Sequence, residues 1–178
     1  MGEPSLEARI RRLEDRAEII ELTYRYAVAV DDRDFAVIEA IFAPDGIFDT
    51  PGGRSVGGKA VADFYRKRLP DFGASIHTPN GHILDLLDED HATGVVLSHA
   101  EIAIDGDAYW LGFRYDDRYV RHDGAWKFHE RQVRTVYTMP LADLPKGLAE
   151  PDRKRWPHVP RGLADLPEPL ATYQASLG

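Results

Sequence analysis

The hydrophobic period of this chain changes once, near Pro70, and that switch limits the folds open to it. Before it, apolar residues recur at helical spacing. After it come four alternating segments, at about 75–87, 92–104, 108–121 and 125–138. Their separators are Asp88-Glu89-Asp90, Asp105-Gly106-Asp107 and Asp123-Gly124. Asp-Gly between alternating runs is among the stronger hairpin signals, because both residues tolerate the positive φ of a tight turn. Helices followed by a four-strand antiparallel meander predict an α+β domain, its helices packed on one face of a curved sheet.

From Leu6 the apolar positions run Leu6, Ile10, Leu13, Ala17, Ile20, Tyr24 and Ala27, in alternating steps of four and three. That spacing predicts one face of a long amphipathic helix over about 4–30. The next position in the series holds Asp31. A carboxylate on a core-facing stripe is costly unless it is paired, hydrogen-bonded or used. The alternative is that the helix ends here, with Asp31 at a solvated turn beside Asp32, Arg33 and Asp34. Asp34 suits the N-cap of a short second helix carrying Phe35, Ile38, Ile41 and Phe42, which Ala43-Pro44-Asp45-Gly46 ends. Ile47-Phe48-Asp49 predicts a short strand and Pro51-Gly52-Gly53 a turn. Val61, Phe64, Tyr65 and Leu69 predict a third helix, closed by Pro70. From Met139 the chain is rich in Pro and Leu and has little period. The expected organisation is one domain at 1–138 and an irregular tail at 139–178 that wraps the domain or a neighbouring subunit.

A net charge of −8 argues against nucleic acid or an anionic membrane as partner, and Arg153-Lys154-Arg155 is too short to reverse that. No window holds the roughly 20 apolar residues of a membrane span. The charged start, Met-Gly-Glu-Pro-Ser, predicts no signal peptide. With no cysteine in the chain, disulfides, thiolate nucleophiles and Cys-based zinc sites are excluded. A cytoplasmic location is the expectation. No Gly-rich phosphate loop, His-Glu-x-x-His, 2-His-1-carboxylate spacing or Gly-x-Ser-x-Gly elbow is present, so neither metal nor cofactor is expected.

Five of the seven histidines have plain placements: His91 and His122 beside turns, His158 in the tail, His82 and His129 on strands. His77 opens a strand where a sheet edge meets the helices. His99 shares a strand face with Val95 and Leu97, which predicts partial burial. A strand histidine is more often structural than catalytic. An Asp facing a cavity beside it shifts that balance, because the carboxylate holds one ring nitrogen protonated and leaves the other to take a proton. Tyr24 and Tyr26 precede Asp31 by seven and five residues. Either phenol suits a hydrogen bond to a substrate oxygen, or core packing with its hydroxyl at the rim. Arg131 and Arg134 interrupt the last strand at an odd spacing, so only one of them faces the concave side. A buried Arg there pairs with Asp31 or binds an anionic or carbonyl group. Phe48, Phe64, Phe113, Tyr109, Trp110 and Tyr115 line a pocket or fill the core.

Several stretches carry a family resemblance: Leu13-Glu14-Asp15-Arg16-Ala17-Glu18-Ile19-Ile20, Tyr24-Arg25-Tyr26-Ala27, Asp31-Asp32-Arg33-Asp34-Phe35, Ile41-Phe42-Ala43-Pro44-Asp45-Gly46-Ile47-Phe48, Gly58-Lys59 and Asp123-Gly124-Ala125-Trp126-Lys127-Phe128. Over about 5–138 the chain resembles the SnoaL-like branch of the nuclear-transport-factor-2-like superfamily. That resemblance implies a cone-shaped α+β barrel. Its scytalone dehydratase, bile-acid 7α-dehydratase and hexachlorocyclohexane dehydrochlorinase members pair an Asp at the end of the first long helix with a His at the start of the first long strand. Asp31 and His77 match these by register. Tyr26 matches the bile-acid enzyme's Tyr, Arg131 the dehydrochlorinase's last-strand Arg, and Arg134 lies nearer the bile-acid enzyme's Arg. Gly81 stands where an Asn is often found, with Asn80 one place earlier, and the tail is longer than that of minimal members.

The resemblance implies a cofactor-independent lyase, of dehydratase or related elimination or retro-aldol type, acting on a hydrophobic aromatic or polycyclic hydroxylated substrate, as in aromatic-compound catabolism. Asp31, His77, Tyr26 and Arg131 are its expected catalytic set. Tyr24, His99, Arg134, Phe48, Phe64 and Phe113 are its expected substrate contacts. Isomerases and cyclases of the ketosteroid isomerase or polyketide cyclase type share the fold. So do non-catalytic ligand binders and the β subunits of aromatic-ring dioxygenases. A homo-oligomer, dimer or trimer, is expected for the enzyme; a dioxygenase-type subunit would purify only with an iron-sulfur partner.

Overall fold

A computed structural model describes residues 3–178. Helix α1 (Leu6–Asp31) starts at Ser5, whose hydroxyl accepts from the Ala8 N–H at 3.2 Å. Asp34 caps α2 (Phe35–Ala40) through the Val37 N–H at 3.1 Å. Strands β1 (Phe42–Thr50) and β2 (Gly53–Val56) follow, then α3 (Gly58–Arg68). A 3₁₀ turn over Leu69–Asp71 leads into the long strands β3 (Phe72–Leu86), β4 (His91–Ile104), β5 (Asp107–His122) and β6 (Ala125–Pro140). The four sequence-predicted strands are these, each longer by one to three residues at an end. The β4–β5 and β5–β6 connections are two-residue turns, Asp105-Gly106 and Asp123-Gly124, with φ positive at all four positions. That is the geometry whose twist matches paired strands.

Two features depart from the expected meander. The sheet has six strands in the order β2-β1-β6-β5-β4-β3, and β1 runs parallel to β6. It is therefore a mixed, open sheet, α+β as predicted but wider by β1 and β2. Ala43-Pro44-Asp45-Gly46 lies within β1 rather than between elements. Pro44 falls where the β1–β6 register shifts, between Phe42 and Ile47, a place where a strand tolerates its missing N–H. Gly46 approaches β6 so closely that a Cβ would sit 2.6 Å from the Phe128 carbonyl oxygen. The breaker residues are thus what lets the segment reach the open edge of β6.

Of the predicted stripe only Ala27 is buried, and the buried face of α1 lies about one residue round from it. Leu6, Ile10, Leu13 and Tyr24 are exposed, and the first buried side chain of α1 is Asp15. A helix of 26 residues is about 39 Å long at ~1.5 Å per residue, so its first turns overhang the sheet. The buried rows are Ile19-Leu22-Tyr26-Val30 and Thr23-Ala27. Asp31, one turn after Ala27, continues the second row. Beneath them lies an aromatic core in which Tyr26 packs on Phe42, Phe48, Tyr115 and Phe128 with ring centroids 5.8–6.3 Å apart.

The tail folds back on its own domain. Lys154 bridges Thr138 at the end of β6 on one side and Gly162 on the other. The Arg153-Lys154-Arg155 triplet fastens it. Arg153 donates to Glu168 through two bonds of 2.7 Å and to the carbonyls of Val136, Glu150 and Leu166. Lys154 pairs with Asp165 at 2.6 Å, and Arg155 with Asp143 at 3.0 Å.

Candidate active site

The last residue of α1 and the first third of β3 meet at one point because the helix packs along this edge strand. An edge strand carries N–H groups with no strand partner. Asp31 takes one of them: its Oδ2 accepts the His77 backbone N–H at 2.7 Å. Its Oδ1 accepts the Ser75 hydroxyl at 2.8 Å and the His77 Nδ1–H at 2.7 Å. An ionised carboxylate only accepts, so Nδ1 carries the ring proton and Nε2 of the neutral ring keeps its lone pair. Burial alone would raise the Asp31 carboxyl. The His77 ring hydrogen bond and charge, the His77 N–H and the Ser75 hydroxyl outweigh it, and the group sits below its ordinary value of 3.8.

His77 opens onto a cavity of about 590 Å³, the size of a small-molecule site. Phe48, Phe64 and Phe113 line it, with the Phe113 ring edge-on to His77 at 6.4 Å between centroids. Its polar members include Tyr65, Tyr115, Thr135 and Thr138. The tail supplies part of the wall through Lys154, Trp156 and Val159, so the cavity is built from the domain and its own C-terminal segment.

Tyr26 stands behind the wall rather than in it. It is fully buried and shares a short hydrogen bond with the hydroxyl of Tyr65, which does face the cavity. Burial pushes both phenols well above their ordinary value, so each remains a proton donor. Tyr65, read from sequence as a helix core residue, is therefore the phenol of this pair that reaches the cavity, where Tyr115 also lies. Nothing in its spacing on α3 distinguishes it from Phe64.

Arg131 does face the inside of the sheet, and Arg134 the outside, which resolves their odd spacing. The geometry nonetheless corrects the expectation that Arg131 pairs with Asp31 or meets the substrate directly. Its Nε and Nη2 donate to Asp117 at 3.0 and 2.7 Å, and neither residue's side chain is more than 1% exposed. The guanidinium lies 4.0–4.4 Å from the centroids of Tyr26, Tyr115 and Phe128. Arg131 is not among the cavity-lining residues. It supports the phenols from below.

Three further expected contacts lie outside the cavity. Tyr24 is 48% exposed, on the solvent side of α1. His99 does share a face with Val95 and Leu97, but it is the outer one: Val96, Ser98 and Ala100 point inward. There His99 contacts Asn80 at 2.9 Å and Glu101 at 3.6 Å. Arg134 reaches Asp116 at 3.5 Å on that outer side. Among the described residues no cluster of three or more His, Asp or Glu side chains has a metal-binding arrangement, and no helix is long and apolar enough to cross a membrane.

The family described as SnoaL-like domain matches residues 11–132. The gamma-hexachlorocyclohexane dehydrochlorinase of Sphingobium indicum is 29% identical over 137 residues, which is 75% of this chain and 88% of the relative. An uncharacterised protein of Mycobacterium tuberculosis is 26% identical over 127 residues, 68% of this chain and 86% of its own. Among solved structures, LinA superposes with a TM-score of 0.72 at 28% identity, covering 75% of this chain and 94% of LinA. The LinA-type3 hexachlorocyclohexane dehydrochlorinase of Novosphingobium barchaimii gives 0.71 at 25% identity, with the same coverage of 75% and 94%.

Proposed function

Since the chain belongs to the SnoaL-like domain family, we propose that it is a cofactor-independent lyase in which His77, oriented by Asp31, removes a carbon-bound proton. The observation that carries this reading is the 2.7 Å contact between Asp31 and His77 at the wall of an aromatic cavity. Nε2 takes the proton, the carbon–hydrogen electron pair forms the new double bond, and the group on the neighbouring carbon departs with its bonding electrons. The imidazolium that results lies against the Asp31 carboxylate, which stabilises it without accepting its proton. Tyr65 donates a hydrogen bond to the departing oxygen, or to a carbonyl that collects charge, and Tyr26 and the Arg131 charge behind it favour that donation.

The substrate class follows from the walls: a hydrophobic, ring-containing molecule with a hydroxyl or halide placed for elimination. The dehydrochlorinase similarity supports elimination in general, and γ-hexachlorocyclohexane is a reasonable probe. The test is a panel of that compound and aromatic β-hydroxy ketones, with chloride release and alkene formation as readouts. Wild-type protein should turn over at least one member, and His77→Gln should lose about a thousandfold or more. Turnover by His77→Gln at close to the wild-type rate would remove His77 from the chemistry.

A further inference from the structure

The mouth of the cavity carries a positive charge that no carboxylate among the described residues pairs with. Arg68 ends α3, lines the cavity that His77 opens onto, and is exposed at its rim. Its guanidinium carbon lies 5.1 Å from the centroid of Phe72, at the start of β3, and 5.4 Å from that of Trp156, in the tail. Among the described residues it has neither a carboxylate partner nor a protein hydrogen-bond acceptor. Its neighbours differ. Arg66 is paired with Asp63 at 2.6 Å, and Lys154, also on the cavity wall, is neutralised by Asp165 at 2.6 Å.

Aromatic faces fix a guanidinium by cation–π attraction while leaving its edge donors free. A planar fork with all its N–H groups unused is matched by a carboxylate, which it binds through two parallel bonds. We propose that the cavity takes an elongated aromatic carboxylate whose acid group is held by Arg68 between Phe72 and Trp156. This deepens the lyase reading only at the reacting end; the anchor itself is a statement about binding. Length follows from the strand. Phe72 and His77 lie five positions apart on β3, about 16 Å between their Cα atoms along an extended strand at ~3.3 Å per residue. The acid group, held at the rim by Arg68, therefore sits away from the bond that breaks at His77. It cannot activate the leaving group from there; it holds the molecule in register with His77. The selection is for negative charge, in a chain whose own net charge is −8.

The experiment is calorimetric titration with biphenyl-4-carboxylate and its neutral isostere biphenyl-4-carboxamide, on wild type, Arg68→Met and Arg68→Lys. Wild type should bind the carboxylate about tenfold more tightly than the amide. Arg68→Met should erase that preference by weakening the carboxylate about tenfold more than the amide, while Arg68→Lys, which keeps the charge but not the fork, should retain part of it. Equal affinities in wild type, or a preference that survives Arg68→Met, would overturn the anchor. The titration reads binding alone. Its failure would leave the Asp31–His77 reading standing, and loss of that reading through His77→Gln would leave the anchor standing.

Discussion

Asp31→Asn changes almost no volume and yet should disable the site, and the reason can be followed bond by bond. The carboxylate accepts three hydrogen bonds: the His77 N–H on Oδ2, and the Ser75 hydroxyl and His77 Nδ1–H on Oδ1. A backbone N–H can only donate, so the amide oxygen must take the place of Oδ2. The amide nitrogen then occupies the place of Oδ1. The Ser75 hydroxyl rotates to accept, and Nδ1 must become an acceptor as well. The ring proton moves to Nε2, the nitrogen left for the substrate, and the base is lost. Two effects of different size follow. Stability should fall by about 1–2 kcal/mol, because charge-assisted bonds become neutral ones but remain made. Turnover should fall by about 10³- to 10⁴-fold, the usual worth of an oriented base. The assay is kcat and KM on whichever panel substrate the wild type converts, with circular dichroism and thermal unfolding on the same samples. A folded Asp31→Asn protein with kcat within about tenfold of wild type would refute the orienting role.

Other outcomes follow from the same structure. Asp117→Asn leaves the Arg131 charge buried without a counter-ion, and urea unfolding should show a loss of about 3–5 kcal/mol; a loss below about 1 kcal/mol would mean the pair is not sealed as described. Tyr65→Phe keeps the ring but removes the hydroxyl proposed to donate to the departing group. It should lower kcat about 10- to 100-fold with little change in KM, and an unchanged kcat would remove Tyr65 from the chemistry. The Asp31 carboxyl titrates lower in the folded chain than its ordinary value of 3.8. Its stabilisation is therefore complete above that ordinary value and disappears as pH falls through the lower, folded one. The wild-type advantage over Asp31→Asn in urea midpoint should shrink below about pH 4; an advantage that grows on acidification would contradict the assignment.

What was legible in the sequence was whatever local geometry decides. Asp105-Gly106 and Asp123-Gly124 fix two hairpins because only such residues accept the φ values required. Asp31 was legible as an anomaly, and His77 as its partner through strand position and family pattern. The failures are all non-local. The α1 stripe has the spacing of a buried face, but its first turns overhang the sheet, and farther along Ile19 and Tyr26 are buried rather than Ile20 and Tyr24; no periodicity reports where a sheet lies or ends. Strand parity grouped His99 with Val95 and Leu97 correctly, but which face is inner depends on where the helices pack. The partner of Arg131 was hidden by one residue. Counting from the Asp123-Gly124 turn sets Asp117 opposite Glu130, and the irregularity between Arg118 and Tyr119 shifts it opposite Arg131. The Arg153-Lys154-Arg155 triplet reads as a solvated charge run until its acceptors arrive from residues 136–168.

The claim on which the functional account rests is that His77 presents an unprotonated Nε2 because Asp31 holds the proton on Nδ1. Long-range ¹H–¹⁵N correlation spectra of the imidazole side chains report this directly, without a substrate, at about pH 8, where an ordinary imidazole is neutral. His77 should show a protonated Nδ1 and a lone-pair Nε2 in the wild type, and the reverse in Asp31→Asn. A wild-type His77 with its proton on Nε2, or one averaging between both nitrogens like a free imidazole, would contradict the account.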